Sequence, residues 1–445
     1  MSRTLRLLVG VALFAGLELW LGAELGRAGS GLALVATVAW LWVSEALHVS
    51  VTAVLVPLLA TLTGVLAFDE ALLQFADPVI FLFLGGFALA AGLQRQGLDR
   101  WMAAKVIGAA GDRLDAASRW LFWLTAALSM WISNTATAAM MLPLALGLLS
   151  SLPAERHRST HAYVLLGVAF AANIGGIGTV VGSPPNAIAA AAIGLSFAQW
   201  MAWGVPLVVV LLPLMAFALR RALRPELDVR VAPPPAAASW TAAQKRMLGV
   251  FALVVTLWML GAPLGALIGL ERGYDAAVAL FALVLLCALR LAEWKDIERG
   301  TDWGVLLLFG GGLTLSKVLS DSGAAAWLAS LVGGPVAAMP ALVCVAAMVL
   351  FAMLITEVTS NTASAALLVP LFIGLAPHLA PTPLAVMVAV GCSCAFLLPV
   401  ATPPNAIVFG AGQLSQRTMI HGGLWVTVLV YPALVAAAAV MLALW

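Results

Sequence analysis

Most of the chemistry available to this chain lies in two motifs, each present twice. Ser133-Asn134-Thr135 opens the stretch SNTATAAMMLP, and Ser360-Asn361-Thr362 opens SNTASAALLVP in the second half of the chain, with seven of eleven positions identical. GSPPNAI from Gly182 and ATPPNAI from Ala401 form the second pair. Where a half-helix begins, Ser or Asn can cap it, and its free N–H groups, reinforced by the helix dipole, make an anion site. Where a half-helix ends, free carbonyls suit a hard cation such as sodium. Asn134 and Asn361 add amides at this junction, and Thr135 and Thr362 add hydroxyls. In the second motif two prolines remove backbone donors and break the helix, and the residue before them is held out of the helical region. The break exposes the carbonyls of Gly182 and Ala401 and the hydroxyls of Ser183 and Thr402. No Lys or Arg lies in any of the four motifs, so a bound anion has to be neutralised by co-bound cations. Glu357, three residues before Ser360, is the one acid beside a triplet. It either takes part in ion binding, is held by hydrogen bonds to the hairpin backbone, or sits at a wet surface. No His or Lys stands beside Ser133, Ser183 or Ser360 to act as a base, which argues against an intramembrane hydrolase.

The elements around these motifs belong to a membrane. Of 445 residues 63% are hydrophobic and 9% charged, and the mean hydropathy is +1.07, where a soluble domain carries about a quarter charged residues. About eleven apolar runs are long enough to span, from 7–24 to 422–445 and including 247–268 as a single run. The first run follows Arg3 and Arg6 but is too long for a signal peptide and contains Glu18, so it is read as a retained helix. Lys and Arg gather in a few loops. If those loops are cytoplasmic, the segments around both triplets must be re-entrant hairpins entering from opposite sides. The N-terminus is then inside and the C-terminus outside, with 19 of 22 basic residues inward and Arg27, Arg272 and Lys317 outward. All four cysteines fall in apolar segments and form neither a disulfide framework nor a zinc site.

The duplication extends to GGFALAAGLQRQGLDRW from Gly85 and GGLTLSKVLSDSGAAAW from Gly311. The chain therefore divides into a first helix at 1–28, repeat 1 at 29–222 (hairpin about 117–150, broken helix about 161–195), a cytoplasmic linker at 223–246, and repeat 2 at 247–445 (hairpin about 337–376, broken helix about 383–410). Opposite orientations make the halves inverted copies, an arrangement that places a transport site at mid-depth. Opposed hairpins serve occlusion, which disfavours an open channel. Leu98, Trp101, Met102 and Val106 form an apolar stripe opposite Asp99, Arg100 and Lys105, as in a helix lying in the membrane interface.

Paired SNT triplets with SPPN and TPPN breaks resemble the divalent-anion/sodium symporter family, carriers of dicarboxylates, citrate and sulfate, over roughly residues 31–445. The resemblance implies an all-α polytopic membrane protein: a homodimer of about eleven transmembrane helices and two hairpins per protomer, working as an elevator. It implies one sodium site at Ser129, Ser133, Asn134 and Gly182, and another at Thr356, Thr359, Asn361 and Ala401. It places the substrate against Asn134, Thr135, Ser183, Pro184, Ser360, Asn361, Thr362, Thr402 and Pro403. Many dicarboxylate carriers of the family have Thr where this chain has Ser183. The expected activity is sodium-coupled symport of a C4-dicarboxylate such as succinate, fumarate or malate, in the cell (inner or plasma) membrane. Sulfate or citrate transport, or anion exchange, is the alternative. No cofactor other than sodium and no nucleic-acid partner is expected.

Overall fold

The computed structural model describes residues 2–109, 111–230, 239–270 and 273–444. Within them the regular structure is helical, with one isolated bridge between Arg113 and Arg230. The three consecutive prolines of the linker and Arg272 lie outside the described residues, as does the Val106 side chain.

Among the described residues seven helices are long and apolar enough to cross a membrane: Arg3–Leu25, Arg27–Ser44, Phe68–Arg95, Phe197–Leu223, Ala242–Met259, Trp303–Asp321 and Gln416–Leu444. Val49–Leu62 and Tyr274–Ala288 are shorter apolar helices. Two runs are interrupted at their proline pairs. Arg158–Gly176 passes through the short turn Val180–Gly182 into Pro184–Ile193, and Pro381–Ser393 passes through irregular residues 394–402 into Pro403–Gly410. The 247–268 run is not one span. It breaks at Leu260 (φ −93°, ψ 16°) before a second helix, Gly261–Leu267. Pro263 explains the break, because its ring conflicts with the carbonyl four residues back.

Each triplet stands at a hairpin turn. Leu114–Ser129 turns at 130–133 into Asn134–Leu149, and Ala341–Ile355 turns at 356–360 into Asn361–Leu375. Hairpins, broken helices and the long helices Phe197–Leu223 and Gln416–Leu444 pack into one body, and Arg27–Ser44, Val49–Leu62, Pro78–Arg95, Tyr274–Ala288 and Trp303–Asp321 into a second. In the second body the helices approach closely through glycine: Gly85 faces Ala279 and Gly311 faces Ala53, with no room for a methyl at either glycine.

Polar groups at the helix ends are satisfied locally. Arg95 bonds Glu293 at 2.6 Å and also Asp296, tying Pro78–Arg95 to the short surface helix Trp294–Gly300. The Glu293 backbone N–H, and then Arg95, hold the Asp296 carboxyl below its ordinary range. Glu18 accepts the Ser30 hydroxyl at 2.7 Å. One expectation is corrected: Asp99 does not sit on a wet face opposite the stripe. It is buried, and its carboxylate accepts the N–H of the next residue, Arg100, at 2.8 Å.

Candidate functional site

At the first hairpin turn Ser133 is the N-cap, accepting the Ala136 N–H at 3.3 Å. This geometry turns the next side chain, Asn134, back toward the end of the incoming arm. The Asn134 amide oxygen lies 2.7 Å from Ser129 Oγ, 3.1 Å from the Ala172 carbonyl and 3.3 Å from the Gly182 carbonyl. Ser129 Oγ also donates to the Ala172 carbonyl at 2.7 Å. Four oxygens from a hairpin and a broken helix thus converge, and hard cations take ligands of this kind. With the amide turned over, its nitrogen would instead donate to the same three oxygens. Gly176 gives the amide its room, because a Cβ there would collide with Asn134 Oδ1.

The second repeat reproduces this arrangement. Thr356 Oγ1 donates to Asn361 Oδ1 at 2.7 Å and to the Cys392 carbonyl at 2.8 Å. Ser129 precedes the first triplet by the same interval as Thr356 precedes the second, so the correspondence holds at the level of single bonds. Ala401 lies at the second break as Gly182 lies at the first. Thr359 does not join this cluster: its hydroxyl donates to the Ile355 carbonyl at 2.9 Å and meets Ser364 Oγ at 2.5 Å. Ser360 makes no side-chain cap, unlike Ser133.

The breaks are held open by residues not singled out in the sequence. Asn186, the Asn of the first PPN, donates to the carbonyls of Gly176 (2.8 Å) and Thr179 (2.7 Å). Asn405 donates to Ala395 (3.2 Å) and Leu398 (3.1 Å). Each amide satisfies carbonyls that the broken helix can no longer use. Their place in the repeated motif was the signal for them. No such signal marks Ala172 or Cys392, which contribute only backbone oxygen.

Each break is also stitched to its own hairpin turn, by different chemistry. Thr179 Oγ1 donates to the Met130 carbonyl at 2.5 Å. In the second repeat the buried Glu357 carboxylate accepts from three successive N–H groups, those of Phe396 (2.7 Å), Leu397 (3.0 Å) and Leu398 (3.2 Å). Glu357 is therefore bonded to the break of its own repeat and not to its hairpin backbone.

The two halves meet between the broken helices. Asn173 Nδ2 donates to Thr402 Oγ1 at 3.1 Å, and Ser183 Oγ lies 3.4 Å from Ser393 Oγ. Pro403–Gly410 packs on Asn134–Leu149, and Pro184–Ile193 on Asn361–Leu375, so each half-helix after a break lies beside the opposite hairpin. The four motifs are thereby brought together. Ser183, Thr362 and Thr402 are buried, Asn134, Pro184, Ser360 and Asn361 half-buried, and Ser133, Thr135 and Pro403 exposed. The site is polar and carries no cationic side chain, and it is open on the side of Ser133, Thr135 and Pro403.

A family model described as citrate transporter matches residues 39–391. The chain belongs to that family. A transporter of Haemophilus influenzae described as uncharacterized is 48% identical over 410 residues, covering 89% of this chain and 88% of its own. The sodium-dependent dicarboxylate transporter SdcS of Staphylococcus saprophyticus is 34% identical over 436 residues, covering 89% and 83%. These relatives agree with the resemblance to divalent-anion/sodium symporters. Among solved structures, the YdaH transporter of Alcanivorax borkumensis aligns with a TM-score of 0.58 at 15% identity, covering 85% of this chain and 87% of that one. At that identity the likeness concerns the fold alone, a polytopic helical membrane transporter. Membership in the citrate transporter family makes this chain a multi-pass membrane protein whose work is transport.

Proposed function

We propose that this protein carries a divalent organic anion, most directly a C4-dicarboxylate, into the cell together with sodium. The observation that carries the reading is the duplicated oxygen cluster: Ser129, Asn134 and the Ala172 carbonyl in one repeat, Thr356, Asn361 and the Cys392 carbonyl in the other. Each cluster sits at the start of a half-helix whose free N–H groups attract an anion. With no Lys or Arg in the motifs, two cations held there balance a doubly charged substrate, and neither flux proceeds without the other. Asn134 and Asn361, Thr135 and Thr362, and Ser183 and Thr402 form three like pairs, one member from each repeat, which matches a two-headed anion better than a compact one. The sodium dependence of the relative SdcS supports the coupling. We further place the N-terminus inside, the C-terminus outside, and two copies in the working unit, moving as elevators.

A thermal-shift panel tests this reading. Succinate, fumarate, malate, citrate and sulfate are each added with sodium or with potassium. Stabilisation that needs a dicarboxylate and sodium together is the expected result, since only a ligand that binds the folded state raises its melting temperature. Citrate stabilising in place of succinate would shift the substrate to the tricarboxylate that the family's description names. Equal stabilisation in potassium would end the sodium claim.

A further inference from the structure

Each oxygen cluster rests on one backbone carbonyl, that of Ala172 in the first repeat and that of Cys392 in the second. The residues that follow them, Asn173 and Ser393, are both 0% exposed, and each reaches out of its own repeat. Asn173 Nδ2 donates to Thr402 Oγ1 at 3.1 Å, and Ser393 Oγ lies 3.4 Å from Ser183 Oγ. Thr402 and Ser183 hold the same place before the two proline pairs. The two links therefore cross, and each joins the carbonyl segment of one cluster to the break of the other repeat.

The crossing is symmetric in position and unequal in chemistry. The Asn173 amide nitrogen also lies 3.4 Å from Asn405 Oδ1, which ties it to two polar residues of the second break. Thr402 Oγ1 accepts a second N–H, from the Asn405 backbone at 3.3 Å. With two N–H groups on its oxygen, the Thr402 hydroxyl keeps its own proton free to donate, which is the polarity a carboxylate needs. On the other side Ser393 Oγ donates to the Ala389 carbonyl at 3.3 Å. In its contact with Ser183 it can then only accept, and the Ser183 proton is taken up there. The Asn173 Oδ1 is buried and accepts no hydrogen bond among the described residues. An amide buried with half of its bonding unmet costs stability, so packing alone does not account for asparagine at this position.

The Ala172 carbonyl and the Asn173 N–H share one planar peptide unit. A cation that takes this carbonyl as a ligand thus acts on the residue that holds Thr402. We propose that Asn173 is a positioning residue that couples the first cation cluster to substrate binding at the second break: it keeps the Thr402 hydroxyl turned as a donor toward a carboxylate of the substrate, and a cation in the first cluster fixes it in that role. Asn173 acts through Thr402 and the Ala172 peptide, not by contact with either ligand. This coupling rests on the reading of sodium-driven dicarboxylate transport above, and it supplies the route by which a cation in one repeat acts on the anion head held by the other.

The test measures succinate binding to the purified full chain by calorimetry over a range of sodium concentrations, for the native protein, Asn173→Leu, Thr402→Val and the double variant. Leucine is close to asparagine in size and has no donor. Asn173→Leu is expected to weaken succinate binding at saturating sodium by about 10-fold, and to lower the number of sodium ions linked to that binding, read from the slope of log Kd against log sodium concentration, by about one. Thr402→Val is expected to weaken binding too, and the double variant no further than Thr402→Val alone, because two residues acting through one hydroxyl are not additive. A residue that only packed the core would lower affinity without changing the slope, so an unchanged slope, or losses that simply add, would overturn the proposal. Asn173→Ser, with the shorter side chain of its counterpart Ser393, gives the same reading should the leucine variant not fold, and a native slope there would overturn it equally. Native protein that binds succinate without regard to sodium would overturn the transport reading together with this coupling, whereas a native sodium slope kept by both Asn173 variants would overturn the coupling alone.

Discussion

Asn134 lies beside the end of its incoming helix and the first break, and Asn361 accepts the Thr356 hydroxyl at the end of the second incoming helix. Replacing either by alanine removes a cation ligand without opening a large cavity. Asn134→Ala and Asn361→Ala are each expected to reduce sodium-dependent uptake by about 100-fold or more, as losing a site-organising polar group does, while the protein still purifies folded. Gly176→Ala acts on the same site from outside it, because the added methyl falls on Asn134 Oδ1. That variant is expected to raise the sodium concentration for half-maximal uptake, measured at saturating dicarboxylate. The side-chain members of the clusters were legible in the sequence, since Ser, Thr and Asn in a lipid-soluble segment call for an explanation. The carbonyls of Ala172 and Cys392 were not, because any residue supplies a carbonyl and only the three-dimensional path of the chain aims it. Thr359 shows the converse: a hydroxyl of the right type beside the motif, turned to Ile355 and Ser364 instead.

At the scale of elements, the account depends on two helices that stop inside the protein and on what satisfies their open ends. The first halves end at Gly176 and Ser393, and the proline pairs sit in the first turn of the half-helices that follow; Asn186 and Asn405 explain why the open carbonyls are tolerated there. Glu357 holds the longer second break by three N–H groups. Glu357→Leu leaves those donors unpaired in an apolar setting, an expected loss of about 2 kcal/mol or more. It would appear as a lower melting temperature, whereas Glu357→Gln, which keeps an acceptor, should lose less. The sequence placed an acid beside the second triplet without indicating its partners, because they belong to a different segment of the chain. The break in the 247–268 run was missed for a related reason: hydropathy counts Pro263 as one residue in an apolar run, but its ring ends a helix. On the surface, the Glu293 N–H and then Arg95 depress Asp296. A depressed carboxyl contributes stability above its unfolded pKa and loses it as pH falls through the lower folded value. Asp296→Asn should therefore flatten a small decline in melting temperature at strongly acidic pH. The change should be slight, since the pair is exposed and screened by solvent.

For the whole molecule, duplication is the organising fact. Sequence showed it in three pairs of motifs in the same order, and the structure carries it down to the hydrogen bonds of Ser129 and Thr356. What sequence could not show is where the equivalence fails, because Val181 and Val400 read alike and differ only in what covers them. The central claim is that the movements of anion and sodium are obligatorily joined, and uptake of labelled succinate into proteoliposomes tests it most directly. With sodium only outside, succinate is predicted to accumulate inside above its external concentration and to leak back once sodium is equalised. Uptake that proceeds equally well with potassium replacing sodium on both sides would contradict the account.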